Sequence, residues 1–96
     1  MKPFYVIIHP QVKPYPGWFQ PEKQIELERI LREEEHLVLQ EDTGKILKIL
    51  KKLPKNRLIR VCGIYAEICV WEVWNTLKEK KYNVNIYEPA SYNAPN

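Results

Sequence analysis

Leu58-Ile59-Arg60-Val61-Cys62-Gly63-Ile64-Tyr65-Ala66-Glu67-Ile68-Cys69-Val70-Trp71-Glu72-Val73-Trp74 is the stretch around which the rest of the chain arranges itself. Its first five residues, Leu58 to Cys62, read as a short apolar strand bounded by Gly63, where a tight turn is expected. From Ala66 the period changes. Ala66, Val70, Val73, Trp74 and Leu77 share one face at 100° per residue, which predicts a helix over 66–81. Cys69 then falls in the first turns of a helix that starts just beyond a strand end. Free N–H groups and the helix dipole favour a thiolate there. The competing reading is that free cysteines are among the most buried residues and fill core. Cys62, inside the strand, is read as core.

Working outward, Pro3 to His9 is an apolar, β-branched and aromatic run with almost no alternation, as in a central strand covered on both faces. Pro10 stops it. Residues 10–21 carry Pro10, Pro14, Pro16, Gly17 and Pro21 with Tyr15, Trp18 and Phe19 interleaved. So many prolines continue neither ladder nor helix, which leaves a rigid connection or a lid beside the strand end. Pro21 suits a first helical position and Glu22 the N-terminal turn of a helix over 21–35, with Leu27, Ile30 and Leu31 on its apolar face. Glu33-Glu34-Glu35 reads as a solvated end. Residues 36–40 form a second strand, begun by a solvated His36. Asp42 or Thr43 caps a helix carrying Ile46, Ile49, Leu50 and Leu53, which Pro54 ends. After the helix over 66–81, Tyr82-Asn83 leads into a fourth strand over 84–88, and the tail frays beyond Tyr92.

The element order is β-α-β-α-β-α-β with connections too long for hairpins. This implies a single domain over 1–96, a three-layer α/β/α Rossmann-like fold with a four-stranded parallel sheet of order 2-1-3-4 and three helices. The switch point then lies between strands one and three, outside the strands' carboxyl ends, where such sheets bind ligands. His9, closing strand one, and Cys69, following strand three, are expected to converge there.

Composition narrows the function. The 96 residues carry a net charge of +3. The lysines at 48, 51, 52, 55 and at 78, 80, 81 fall at predicted helix ends, where the dipole favours cations. No basic stripe with interleaved aromatics points to nucleic acid. No apolar run is long enough for a membrane span, and no leader-like segment opens the sequence. Two cysteines seven residues apart, without a CxxC pair, argue against a disulfide framework and for a reducing cytoplasm. Usage rich in Lys, Glu, Ile and Tyr resembles that of thermophile proteins.

The run Gly63-Ile64-Tyr65-Ala66-Glu67-Ile68-Cys69-Val70 resembles the nucleophile segment of the isochorismatase-like cysteine hydrolases, which include nicotinamidases. There a strand ends in Gly, and the nucleophilic Cys stands six residues on, followed by Val. Two further segments are similar to the family: Val6-Ile7-Ile8-His9-Pro10-Gln11 with Pro16-Gly17, and Lys81 to Ala90. The resemblance implies a non-proline cis peptide at Ile64–Tyr65 and an oxyanion hole from the N–H groups of Tyr65 and Cys69. The departures are specific. The family's acidic residue at the end of strand one is His9 here, its Lys after strand two falls at Gln40 or nearby, with Lys45 a poorly spaced substitute, and its Thr-Asp before the nucleophile is Ala66-Glu67. The metal-binding Asp and His residues of nicotinamidases have no counterpart.

Two functions follow. In the first, a small isochorismatase-like hydrolase opens a small amide or ester through a Cys69 acyl intermediate. His9 acts as base, Glu67 orients or acidifies the site, and Gln11, Trp18, Phe19, Gln40, Ile64 and Tyr65 line the pocket. No metal or other cofactor is implied. The competing reading of His9, which is slightly favoured, is a strand-end residue bonded to backbone. In the second, the chain is a catalytically inactive binding or assembly module. Ile68 and Trp71 point away from the core face of the third helix, so that helix packs on more than one side. The expected partner is a second copy, giving a homo-oligomer through helix 66–81, with the proline-rich loop folding over Trp71 as the alternative.

Overall fold

The computed structural model describes residues 2–10, 19–40 and 46–94. In chain order these form β1 (Phe4–Ile8), α1 (Pro21–Glu33), β2 (His36–Leu39), α2 (Ile46–Ile49, continued by a 3₁₀ turn Leu50–Lys52), β3 (Ile59–Ile64), α3 (Cys69–Glu79) and β4 (Val84–Tyr92). The four strands are parallel and lie in the order β2-β1-β3-β4. Gln11, Trp18, the candidate caps Asp42 and Thr43, and Lys45 fall outside the described residues, as does most of the proline-rich loop.

Alternation along β1 sorts the layers. Phe4, Val6 and Ile8 face one side of the sheet, where they pack with Ile59, Val61 and Val84, with Ile46 of α2 and with Val70, Val73 and Leu77 of α3. Tyr5 and Ile7 face the other side with Cys62, Ala90, and Leu27 and Ile30 of α1. All five β1 residues are buried, as expected of a central strand covered by helices on both faces.

Several assignments differ from the sequence reading. Gly63 does not turn the chain; it lies inside β3, paired with Ile8. Its φ is +121°, and a Cβ there would stand 2.1 Å from the Ile8 carbonyl oxygen. The glycine is needed for close approach of two strands, not for a bend. Helix α3 starts at Cys69 rather than Ala66 and ends at Glu79. Strand β4 continues past Pro89 to Tyr92 because residues 87–90 bulge opposite Cys62, after which Ser91 and Tyr92 rejoin Gly63 and Ile64. The buried Ser91 hydroxyl donates to the Tyr87 carbonyl (2.7 Å) across that bulge. On α1, Leu31 is exposed instead of buried. The glutamates after α1 are not simply solvated: Glu34 pairs with Arg29 and Glu35 with Arg57, both at 3.1 Å. His36 is likewise half-buried, with Nδ1 bonded to the Glu34 carbonyl at 2.8 Å.

Polar contacts dock α1 on β4. Pro21 opens the helix after Gln20, and the Gln20 amide clamps Asn93, donating to its carbonyl (3.0 Å) and accepting from its N–H (3.2 Å). The Tyr92 hydroxyl donates to Gln24 at 2.7 Å. Further along, Glu26 takes a bidentate bond from Arg29 (2.6 and 2.9 Å) and the Tyr87 hydroxyl. Arg60 stacks over the Tyr87 ring at 4.8 Å. The Arg29 bonds, opposed by partial burial and helped by Tyr87, hold the Glu26 carboxyl below its ordinary pKa.

The outer edge of β4 is blunted by side chains. Asn83 directs its carbonyl to Ile59 of β3, so the Val84 carbonyl points away from the sheet, and the Trp74 indole N–H caps it at 3.3 Å. Lys23 reaches the Glu88 carbonyl, and Pro89 has no N–H to offer.

Two outcomes check this description. Gly63→Ala should cost about 3 kcal/mol or more, since both the backbone conformation and the Ile8 contact oppose a side chain; an unchanged urea midpoint would refute the close approach. A carboxyl whose pKa falls on folding stabilises above its unfolded pKa, and that contribution disappears as pH falls through the folded value. Glu26→Gln should therefore lower stability at neutral pH and flatten the acid limb of a stability-versus-pH curve.

Candidate functional site

The carboxyl ends of the strands bring the candidate residues to one edge of the sheet. Strand β1 hands over to His9, which adopts a left-handed backbone with φ of 51°. Histidine enters that region more readily than most residues. Its N–H donates to the Leu39 carbonyl at 2.9 Å, and its ring Nδ1 donates to the Gln40 carbonyl at 2.5 Å. Both bonds tie His9 to the end of β2. No hydrogen bond joins His9 to Cys69 among the described residues. Gln40 itself keeps a buried side-chain oxygen without a hydrogen-bond partner among the described residues.

On the other side of the switch point, β3 ends at Ile64, which is buried. The Ile64–Tyr65 peptide is cis, the bond at which the family resemblance placed one. The half-buried Tyr65 folds the chain into α3: its carbonyl accepts from the N–H groups of Ile68 and Val70, both at 3.1 Å. The Ala66 N–H donates to the Tyr92 carbonyl at 2.7 Å, fastening this turn to β4. Cys69 is thereby the first residue of α3, half-buried and packed against the core.

The electrostatics of Cys69 run opposite to the helix-dipole expectation. Burial pushes its thiol above the ordinary range, and the Glu72 carboxylate one turn on pushes it further. Cys62 is raised to about 12 by its full burial, in keeping with a core cysteine. Glu67 is exposed and uses one carboxylate oxygen to accept the Ala94 N–H at 2.7 Å, which holds the end of β4. Phe19 is exposed beside the Tyr92 ring, 6.5 Å between centroids. Of the residues named from sequence, the structure therefore places His9 and Gln40 together, and Tyr65, Glu67 and Cys69 together.

Sequence reasoning missed a groove of about 560 Å³ on the far side of this turn, lined by Ala66, Glu67, Trp71, Ile86, Glu88 and Asn93 among others. The signal was the second tryptophan. Trp74 covers the β4 edge, which leaves Trp71, 6.3 Å from it between ring centroids, as the groove wall. Among the described residues no group of three or more His, Cys, Asp or Glu side chains is placed to hold a metal ion. No helix there is long and apolar enough to cross a membrane. No protein-family model, curated protein or solved structure matches the chain.

Alkylation by iodoacetamide across pH measures the Cys69 thiol directly. The midpoint should lie above the ~8.5 of an ordinary thiol. Glu72→Gln should move it down without reaching the ordinary value, because burial is the larger cause. A wild-type midpoint well below 7 would contradict this account.

Proposed function

We propose that the chain is an isochorismatase-like α/β domain that serves as an assembly module through α3 rather than as a hydrolase. The observation that carries this reading is the pair Ile68 and Trp71, which are 53% and 47% exposed side by side at the start of α3. Large apolar side chains left open together mark interaction surfaces, and tryptophan is prominent among interface anchors. Two groups named for a hydrolase make other bonds: the Glu67 carboxylate accepts from Ala94, and His9 donates its Nδ1–H to Gln40, which leaves Nε2 as its one possible basic nitrogen. The raised thiol of Cys69 points the same way.

One observation favours the hydrolase. Cys69 opens a helix at the carboxyl end of β3 and is partly accessible, the position a nucleophile takes in such folds. Mass spectrometry of an acyl group trapped on Cys69 by a small activated ester or amide, absent in Cys69→Ser, would establish that activity.

The assembly reading is tested by sedimentation velocity over a wide concentration series. Self-association is expected, and Trp71→Ser should weaken it by about 2 kcal/mol, roughly thirtyfold. A particle that stays monomeric to millimolar concentration would remove this reading.

A further inference from the structure

We propose that the edge of the sheet at which the four strands begin is a binding surface for the phosphate backbone of a nucleic-acid duplex, contacted without regard to base sequence. This surface is separate from the apolar pair at the start of α3, which lies at the opposite edge.

Folding joins lysines that the sequence keeps apart. Lys51, Lys52 and Lys55 belong to the end of α2 and the segment after it, and Lys80 and Lys81 follow α3. Along the chain these are two separate helix ends. In the structure Tyr82 brings them together: its hydroxyl donates to the Leu50 carbonyl at 3.1 Å, and the Lys55 ammonium lies 5.6 Å from its ring centroid. Lys2 joins the same edge, where Arg57 donates to its carbonyl at 2.8 Å. All six lysines are exposed.

Charge at this edge is not balanced. The segments that lead into the strands, 2–3, 34–35, 50–58 and 79–83, carry Glu34, Glu35 and Glu79. Glu34 is taken by Arg29 and Glu35 by Arg57. That leaves Glu79, which accepts from Asn75 at 3.4 Å, against six lysines. None of those lysines forms an ion pair among the described residues. Helix dipoles do not absorb the excess, because a helix C-terminus carries only about half a negative charge. At the opposite edge the described segments 9–10, 19–20, 40, 65–68 and 93–94 carry Glu67 and no lysine or arginine. A cationic face at one end of the molecule is the electrostatic mark of a polyanion-binding surface.

Three features choose the occupant. The available cations are lysines, point charges that meet phosphates without the planar fork that reads a base edge; the one arginine in these segments is held by Glu35. None of the exposed large apolar side chains stands in these segments, so nothing there inserts into a lipid layer. The Tyr82 ring, the aromatic face a single strand would stack on, is half-buried and carries Lys55. Lysines spread over a surface suit a duplex, which offers a phosphate about every 1.7 Å of its axis.

Fluorescence anisotropy of the full chain with a labelled DNA duplex, the matching RNA duplex and one of the single strands tests this. Binding to either duplex is expected, the tighter one naming the polymer, with log Kd rising against log salt at a slope of about 4 to 5. Lys51→Gln with Lys52→Gln, and separately Lys80→Gln with Lys81→Gln, should each weaken binding tenfold or more and lower that slope by about 2. Lys23→Gln, in the first turn of α1 at the opposite edge, should change neither. An equal loss in Lys23→Gln overturns the proposal, as does tighter binding to the single strand. Preference for vesicles of anionic phospholipid over both duplexes, or absence of duplex binding at about 50 mM salt, overturns it too. Circular dichroism of each lysine variant should match the wild type.

Discussion

Ile8 and Gly63 stand shoulder to shoulder, so close that no side chain fits on the glycine. The rest of the molecule depends on that contact. It binds the last residue of the fully buried β1 to β3, the strand that leads into α3. Because β1 is central, it and β3 send side chains into both core layers. One layer carries Val6, Ile8, Val61 and Val70, the other Ile7, Cys62, Leu27 and Ile30. The contact also borders the crevice between the two strand ends, from which the chain leaves towards His9 on one side and Tyr65 on the other.

At that crevice polar groups that a catalyst would hold ready are drawn into the architecture. The His9 ring holds the end of β2. The Tyr65 carbonyl gathers the first turn of α3, and the Ala66 N–H and the Glu67 carboxylate secure the end of β4. These are hydrogen bonds of strand ends and caps, groups that must find partners wherever a parallel sheet stops. With them satisfied internally, the thiol at the head of α3 has burial and a carboxylate for neighbours. Both oppose ionisation.

The topology was legible because it is written in periodicity: the unbroken apolar run of β1, the 3.6-residue spacing of Val70, Val73 and Leu77, and connections too long for hairpins. What was not legible lies where one residue type serves two purposes. Glycine signals both a turn and a close approach, and at Gly63 the second holds. Proline ends most strands, yet Pro89 sits in a bulge that lets β4 resume with the buried Tyr92. Leu31 continues the helical spacing of Leu27 and Ile30, but it lies at the margin of that face and is left exposed. For the site, position was readable and pairing was not. His9 and Cys69 do end up at one edge of the sheet, but which backbone carbonyl claims a histidine ring depends on a left-handed residue that no spacing announces.

The capped edge of β4 has a consequence for how the chain reaches this state. The carbonyl of Val84 is covered only once α3 has docked, because its cap is carried by Trp74, and that of Glu88 only once α1 has brought Lys23 across. Before those helices settle, the assembled strands present an open backbone edge of the kind that recruits other chains. Helix docking is thus also the step that makes the sheet safe. Any state in which the strands are paired while α3 is undocked leaves that edge open to other chains.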